Sequence, residues 1–206
     1  MTELNPDIVF DLARSGDPQQ IQELFDLLDA DGLSPNERTS LEYGLVAGAP
    51  KTIDPIIARL RQTPSAKSGL RSAYYLGEIA YQQKYEQDPR IVPELIRAFD
   101  QIKGAHPDKV YAAIGALGEC CRFHGIPEAQ RVAEEGIQIV IERREFLLDM
   151  LDYCLEIYFV NKGWAKTVAL GEKLGKLPEG APMLEEVEDF LKRQKHRPKG
   201  YEPIQA

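Results

Sequence analysis

The sequence predicts an all-α chain of about ten short helices, on three observations. Prolines recur at helix-opening positions, apolar residues between them repeat at helical spacing, and no segment alternates apolar with polar residues as a half-buried strand does. The chain has 206 residues, 43% of them hydrophobic and 28% charged, enough for one domain with a sizeable core.

The elements follow in order. Asn5-Pro6, Asp17-Pro18, Ser34-Pro35 and Asp88-Pro89 each set a capping side chain before a proline, whose missing N–H has no partner in a first turn anyway. His106-Pro107-Asp108 and Ile126-Pro127-Glu128 open helical patterns without such a cap. Helices are expected over 18–29, carrying the stripe Ile21, Leu24, Phe25 and Leu28, and over 35–47. Ile56, Ile57 and Leu60 mark another helix, and Ile91, Leu95, Ile96 and Phe99 the next. After residue 126 a longer pair is expected over 128–143 and 145–161. The second member, from Phe146 and Leu147 to Phe159, is apolar enough to be buried on both sides. Asn161-Lys162-Gly163 breaks it, 164–175 forms a further helix, and 183–195 closes the chain with the stripe Leu184, Val187, Phe190 and Leu191. One domain over 1–195 is expected, with 196–206 a flexible tail.

Two segments repeat. Arg71–Glu78 and Ala112–Glu119 both end in Leu-Gly-Glu, and Asp54–Arg59 resembles Val92–Arg97, each with a proline near its start and an arginine at its end. A weaker copy precedes them, with Tyr43-Gly44 in the place of Leu76-Gly77. A proline-opened outer helix followed by an inner helix of small residues ending in Leu-Gly resembles the HEAT repeat of armadillo-like α-solenoids, including the variety found in phycobilisome lyases. That resemblance is good over 51–126, weaker over 17–50 and weakest beyond. It implies a short right-handed solenoid of about five antiparallel helix pairs, with Gly77 and Gly118 where inner helices pack most closely, Gly118 against the inner helix before it. It implies architecture and not activity.

Charge narrows the functions. Residues 1–50 hold ten carboxylates against Arg14 and Arg38, which is the whole net charge of −8. An acidic first third and a balanced remainder argue against nucleic-acid binding, which needs a basic face. The cluster Lys192, Arg193, Lys195, Arg197 and Lys199 reads as a solvated helix end. No run of about 18 apolar residues spans a membrane, and the first residues carry no basic and apolar signal pattern. Three cysteines, two of them adjacent, do not make a disulfide framework. A cytoplasmic protein is expected.

Nine tyrosines are the compositional oddity. Tyr74, Tyr75 and Tyr81 fall on one inner helix, Tyr43 and Tyr111 on its neighbours. On a concave inner face, Arg71, Tyr75, Glu78 and Glu119 are expected to be exposed, with Tyr74 and Tyr111 beside them. Tyrosine and arginine dominate binding hot spots, so these six residues form the candidate partner-binding site. Cys120, Cys121 and His124 fall short of a zinc site for want of ligands, and the cysteines read as packed core, with no base to activate them. Glu78 with Glu119, or Asp149 with Asp152, lack any supporting feature of a general-acid pair. Trp164 reads as a staple between the last helices. The expected function is a non-catalytic scaffold or adaptor that binds a partner protein with a basic surface, without metal or cofactor. The resemblance also implies an alternative, a bilin lyase-type or chromophore-handling protein, in which tyrosines stack on a tetrapyrrole.

Overall fold

The computed structural model describes residues 6–143 and 148–195. Among the described residues there are ten α-helices, one 3₁₀ turn and no strand. The helices are α1 (Pro6–Ser15), α2 (Pro18–Asp29), α3 (Pro35–Ala47), α4 (Ile53–Gln62), α5 (Lys67–Gln83), α6 (Ile91–Ile102), α7 (Tyr111–Cys121), α8 (Pro127–Arg143), α9 (Leu148–Gly175) and α10 (Ala181–Gln194). None of them is long and apolar enough to cross a membrane.

The capping chemistry places most of the starts. Asp17 Oδ1 accepts from the Gln19 backbone N–H at 2.8 Å, and Ser34 forms a capping box with Glu37. Two starts differ from expectation. Asp88-Pro89 does not open α6, because Asp88 accepts from the backbone and guanidinium of Arg90 and holds Pro89 in the preceding turn. His106-Pro107-Asp108 runs into a 3₁₀ turn, Pro107–Lys109, ahead of α7. Gly163, with φ +79°, breaks α9 at the expected place, a backbone conformation that glycine adopts without steric cost. Asn5, Phe146, Leu147 and the segment from 196 onward lie outside the described residues.

The helices pack in a regular order. The odd-numbered helices α3, α5, α7 and α9 each touch the next, as do the even-numbered α2, α4, α6 and α8, and each even helix packs on the odd helix that follows it. One continuous core runs through them from Val9 to Leu191. Gly77 permits the tight approach of α5 to α7, since a Cβ there would stand 2.8 Å from Ala116 Cα. Its expected counterpart Gly118 differs. It faces forward to α9 instead of back to α5, and its Cβ would meet only ordinary contacts, the nearest being Tyr153 O at 3.8 Å. Gly44 turns the other way, against Val9 of α1. Trp164 is partly exposed, edge-on to Phe159, with the Lys195 ammonium over its ring.

Ion pairs lace the even-numbered helices together. Arg59 of α4 pairs with Asp29 of α2, Arg61 of α4 with Glu94 of α6, and Arg131 of α8 with Asp100 of α6. The Arg61 hydrogen bond holds the Glu94 carboxyl down at about 2, against the opposing effect of burial and with help from Arg97. Arg131, with Lys103, likewise holds Asp100 at about 2. A carboxylate whose folded value is depressed stabilises the fold above its unfolded value and loses that contribution as pH falls toward the folded one. The melting temperature is therefore expected to fall from about pH 4.5 down to about pH 2. Glu94→Gln is expected to start lower at pH 7 and to lose less across that interval; an equal acid loss in the variant would remove Glu94 from this account.

Candidate functional site

The odd-numbered helices build a groove. Its main depression, about 410 Å³, lies between α5 and α7, with Tyr153 of α9 at its edge. Small residues make its floor: Gly77 on α5 and Ala112, Gly115 and Ala116 on α7. Larger side chains on that floor would fill the space, which is how a helix contact rich in glycine and alanine leaves a concavity between longer neighbours. Its walls are Tyr74, Tyr111 and Tyr153, with Glu78 and Glu119 along one side.

Helical geometry decides which α5 residues face this space. Lys67, Arg71, Tyr74 and Glu78 follow one another at four-, three- and four-residue steps and share a face. Tyr75 stands about 100° round from Tyr74 at 3.6 residues per turn. The exposures follow: Tyr74 is 53% and Tyr111 46% exposed, whereas Tyr75 is 1% exposed. The expectation that Tyr75 is exposed is therefore corrected. A buried tyrosine is costly only if its hydroxyl lacks a partner. Tyr75 has one, donating its O–H to Glu42 Oε1 at 3.3 Å, while its ring sits edge-on to Tyr74. Burial, then the Glu42 charge, pushes its phenol well above the ordinary range.

The other expected residues meet in the groove with different freedom. Arg71 lines it but is tied down. Its Nη1 donates to Leu28 O at 3.1 Å, at the C-terminal end of α2 where carbonyls lack helical partners, and lies 3.9 Å from Asp29. Arg38 donates to the same carbonyl. Glu119 receives the Arg122 guanidinium on both oxygens at 3.1 Å, and that guanidinium also lies over the Tyr81 ring. Glu78 is half-buried and has no cation within ion-pair distance among the described residues. Burial, then the like charge of Glu119, raises its carboxyl above the usual range, while a hydrogen bond from Tyr74 and the Arg122 charge oppose the shift. The Tyr74 phenol is raised by burial and by the three carboxylates of Glu78, Glu42 and Glu119 converging on it.

Two flanking depressions continue the groove. One, about 150 Å³, lies between α3 and α5 and includes Glu42, Tyr43, Tyr74 and Glu78. The other, about 270 Å³, reaches from Glu119 and Tyr153 to Asp152 on α9 and Arg193 on α10. Glu42 and Tyr153 were not among the expected site residues. The 41-residue offset of the Leu-Gly-Glu repeat, carried on from Tyr111, lands on Asp152 and misses Tyr153 by one residue, so the repeat did not point to it.

Elsewhere the chemistry is closed off. Cys120, Cys121 and Cys154 are buried and unpaired in disulfides, and burial pushes all three thiols up, Cys120 to about 12. A thiol held protonated is a poor nucleophile and a poor metal ligand. Among the described residues no three His, Cys, Asp or Glu side chains are grouped to hold a metal ion.

Fold and site together define an all-helical protein with a tyrosine-walled, carboxylate-edged groove across its odd-numbered helices. No family model, curated protein or solved structure matches the chain.

Proposed function

We propose that the chain is a HEAT-like α-solenoid, a right-handed stack of about five antiparallel helix pairs, that docks a partner protein in the groove of its inner helices and catalyses nothing. The two parallel series of helix contacts, even on even and odd on odd, support the solenoid. The observation that carries the function is the groove itself. Exposed Tyr74, Tyr111 and Tyr153 surround a small-residue floor that no other described residue fills. Aromatic rings of this kind supply large contact area at low entropic cost, which is why they anchor interfaces. Three buried, reduced cysteines fit a cytoplasmic setting.

Affinity capture of the partner from the source cells, with wild type and Tyr74→Ala/Glu78→Gln side by side, tests this reading. The double variant is expected to keep the wild-type melting temperature and to bind the captured protein at least about tenfold more weakly, about 1.4 kcal/mol. Equal binding by a folded variant would place the docking surface elsewhere. The chromophore-handling alternative rests on the same rings. It predicts a shifted visible spectrum on mixing with a bilin, where the docking reading predicts an unchanged one.

A further inference from the structure

The groove is continuous along its length. Its three depressions join, because Tyr74 and Glu78 belong to the first and second, and Glu119 and Tyr153 to the second and third. Helices α3, α5, α7 and α9 each set one exposed tyrosine into it, with carboxylates on the same helices: Tyr43 with Glu42 on α3, Tyr74 with Glu78 on α5, Tyr111 and, about two turns on, Glu119 on α7, and Tyr153 with Asp152 and Glu156 on α9. Packed helix axes stand about 8–10 Å apart. A segment in the polyproline II conformation advances about 3.1 Å per residue with three residues per turn, so side chains three residues apart share a face at about 9 Å. A segment laid across these helices therefore presents one side chain to each helix at about every third residue.

The charges say which side chain. Glu42 and Glu78 have no cation within ion-pair distance among the described residues, and Glu78 is half-buried beside the like-charged Glu119. Arg122 and Arg193 neutralise Glu119 and Asp152 further along. Of the cations on α5, Arg71 is tied to Leu28 O. Lys67 stands eleven residues before Glu78, about 16 Å away along the helix. A cation placed between Tyr74 and Glu78 meets a ring face as well as a carboxylate, and a lysine or arginine stem is long enough to lie along tyrosine while its head reaches the charge. The acidic first 50 residues would draw such a partner in.

We propose that the groove takes an extended, polyproline II-like segment of a partner protein bearing two lysines or arginines three residues apart, its cations on Glu42 and Glu78 and its stems against Tyr43 and Tyr74. This rests on the docking reading above and adds the chemistry and register of the occupant.

Random-peptide display selected on the immobilised full chain tests it. The peptides expected to enrich carry lysine or arginine three residues apart. Their binding should weaken at least about tenfold in Glu42→Gln/Glu78→Gln and in Tyr74→Ala, and should fall as salt rises, since exposed ion pairs are screened. A synthetic peptide with two arginines at that spacing should outbind its isomer with the arginines contiguous. Enriched peptides that lack spaced cations yet lose binding in Tyr74→Ala would overturn this inference and leave the docking reading standing. Equal affinity of the two arginine isomers would overturn the register. Failure to enrich any peptide sensitive to Tyr74→Ala would overturn both readings.

Discussion

Tyr75→Ala is expected to cost the fold about 3–5 kcal/mol, the range for deleting a fully buried aromatic side chain. The ring is 1% exposed, packed behind the groove wall, and its removal leaves a cavity that the surrounding helices close only in part. Domain stabilities are about 5–15 kcal/mol, so this is a large fraction of the total. The melting temperature should drop by on the order of 10 °C. Tyr75→Phe separates packing from the hydrogen bond. It keeps the ring and loses only the bond to Glu42, worth about 1 kcal/mol, and leaves Glu42 partly open to water. Urea unfolding of the two variants checks the ordering; a Tyr75→Ala midpoint equal to wild type would mean that the ring faces solvent.

Gly77→Ala and Gly118→Ala are expected to move stability in opposite directions. At Gly77 the new methyl would stand 2.8 Å from Ala116 Cα, a backbone atom that yields only if α7 shifts. Overpacking of that kind costs about 1–3 kcal/mol. At Gly118 the methyl would meet nothing closer than 3.8 Å, so the better helix propensity of alanine dominates, a gain of up to about 1 kcal/mol. Two repeats with the same Leu-Gly-Glu sequence thus respond differently. Thermal melts of the pair check the signs, and two equal losses would show that α7 and α9 are packed as tightly as α5 and α7.

Much of the fold was legible in the sequence because its signals are local. Asp17 and Ser34 cap where their side chains reach the next backbone N–H groups, and Gly163 breaks α9 because it alone adopts the required φ without strain. Asp88 misled because a nearby arginine captured its carboxylate before the helix could. The site was half legible. Arg71, Tyr74, Glu78, Tyr111 and Glu119 meet in one groove as the repeat register implied. Tyr75 was misplaced by one residue, a 100° rotation, because the choice between adjacent tyrosines depends on Glu42, a tertiary neighbour invisible to periodicity. The forward turn of Gly118 was likewise fixed by how far α9 stands off, a packing distance that no motif encodes.

Site-specific photo-cross-linking tests the central claim most directly, that partners dock across the inner-helix groove. A benzoylphenylalanine replaces Tyr43, Tyr74, Tyr111 or Tyr153 in turn, with the exposed Gln138 on α8 as the comparison position. The account predicts that the captured partner cross-links from the four groove positions, at peptides that map along one extended segment in the order of the helices, and not from position 138. Cross-links from position 138 with none from the four tyrosines would contradict it.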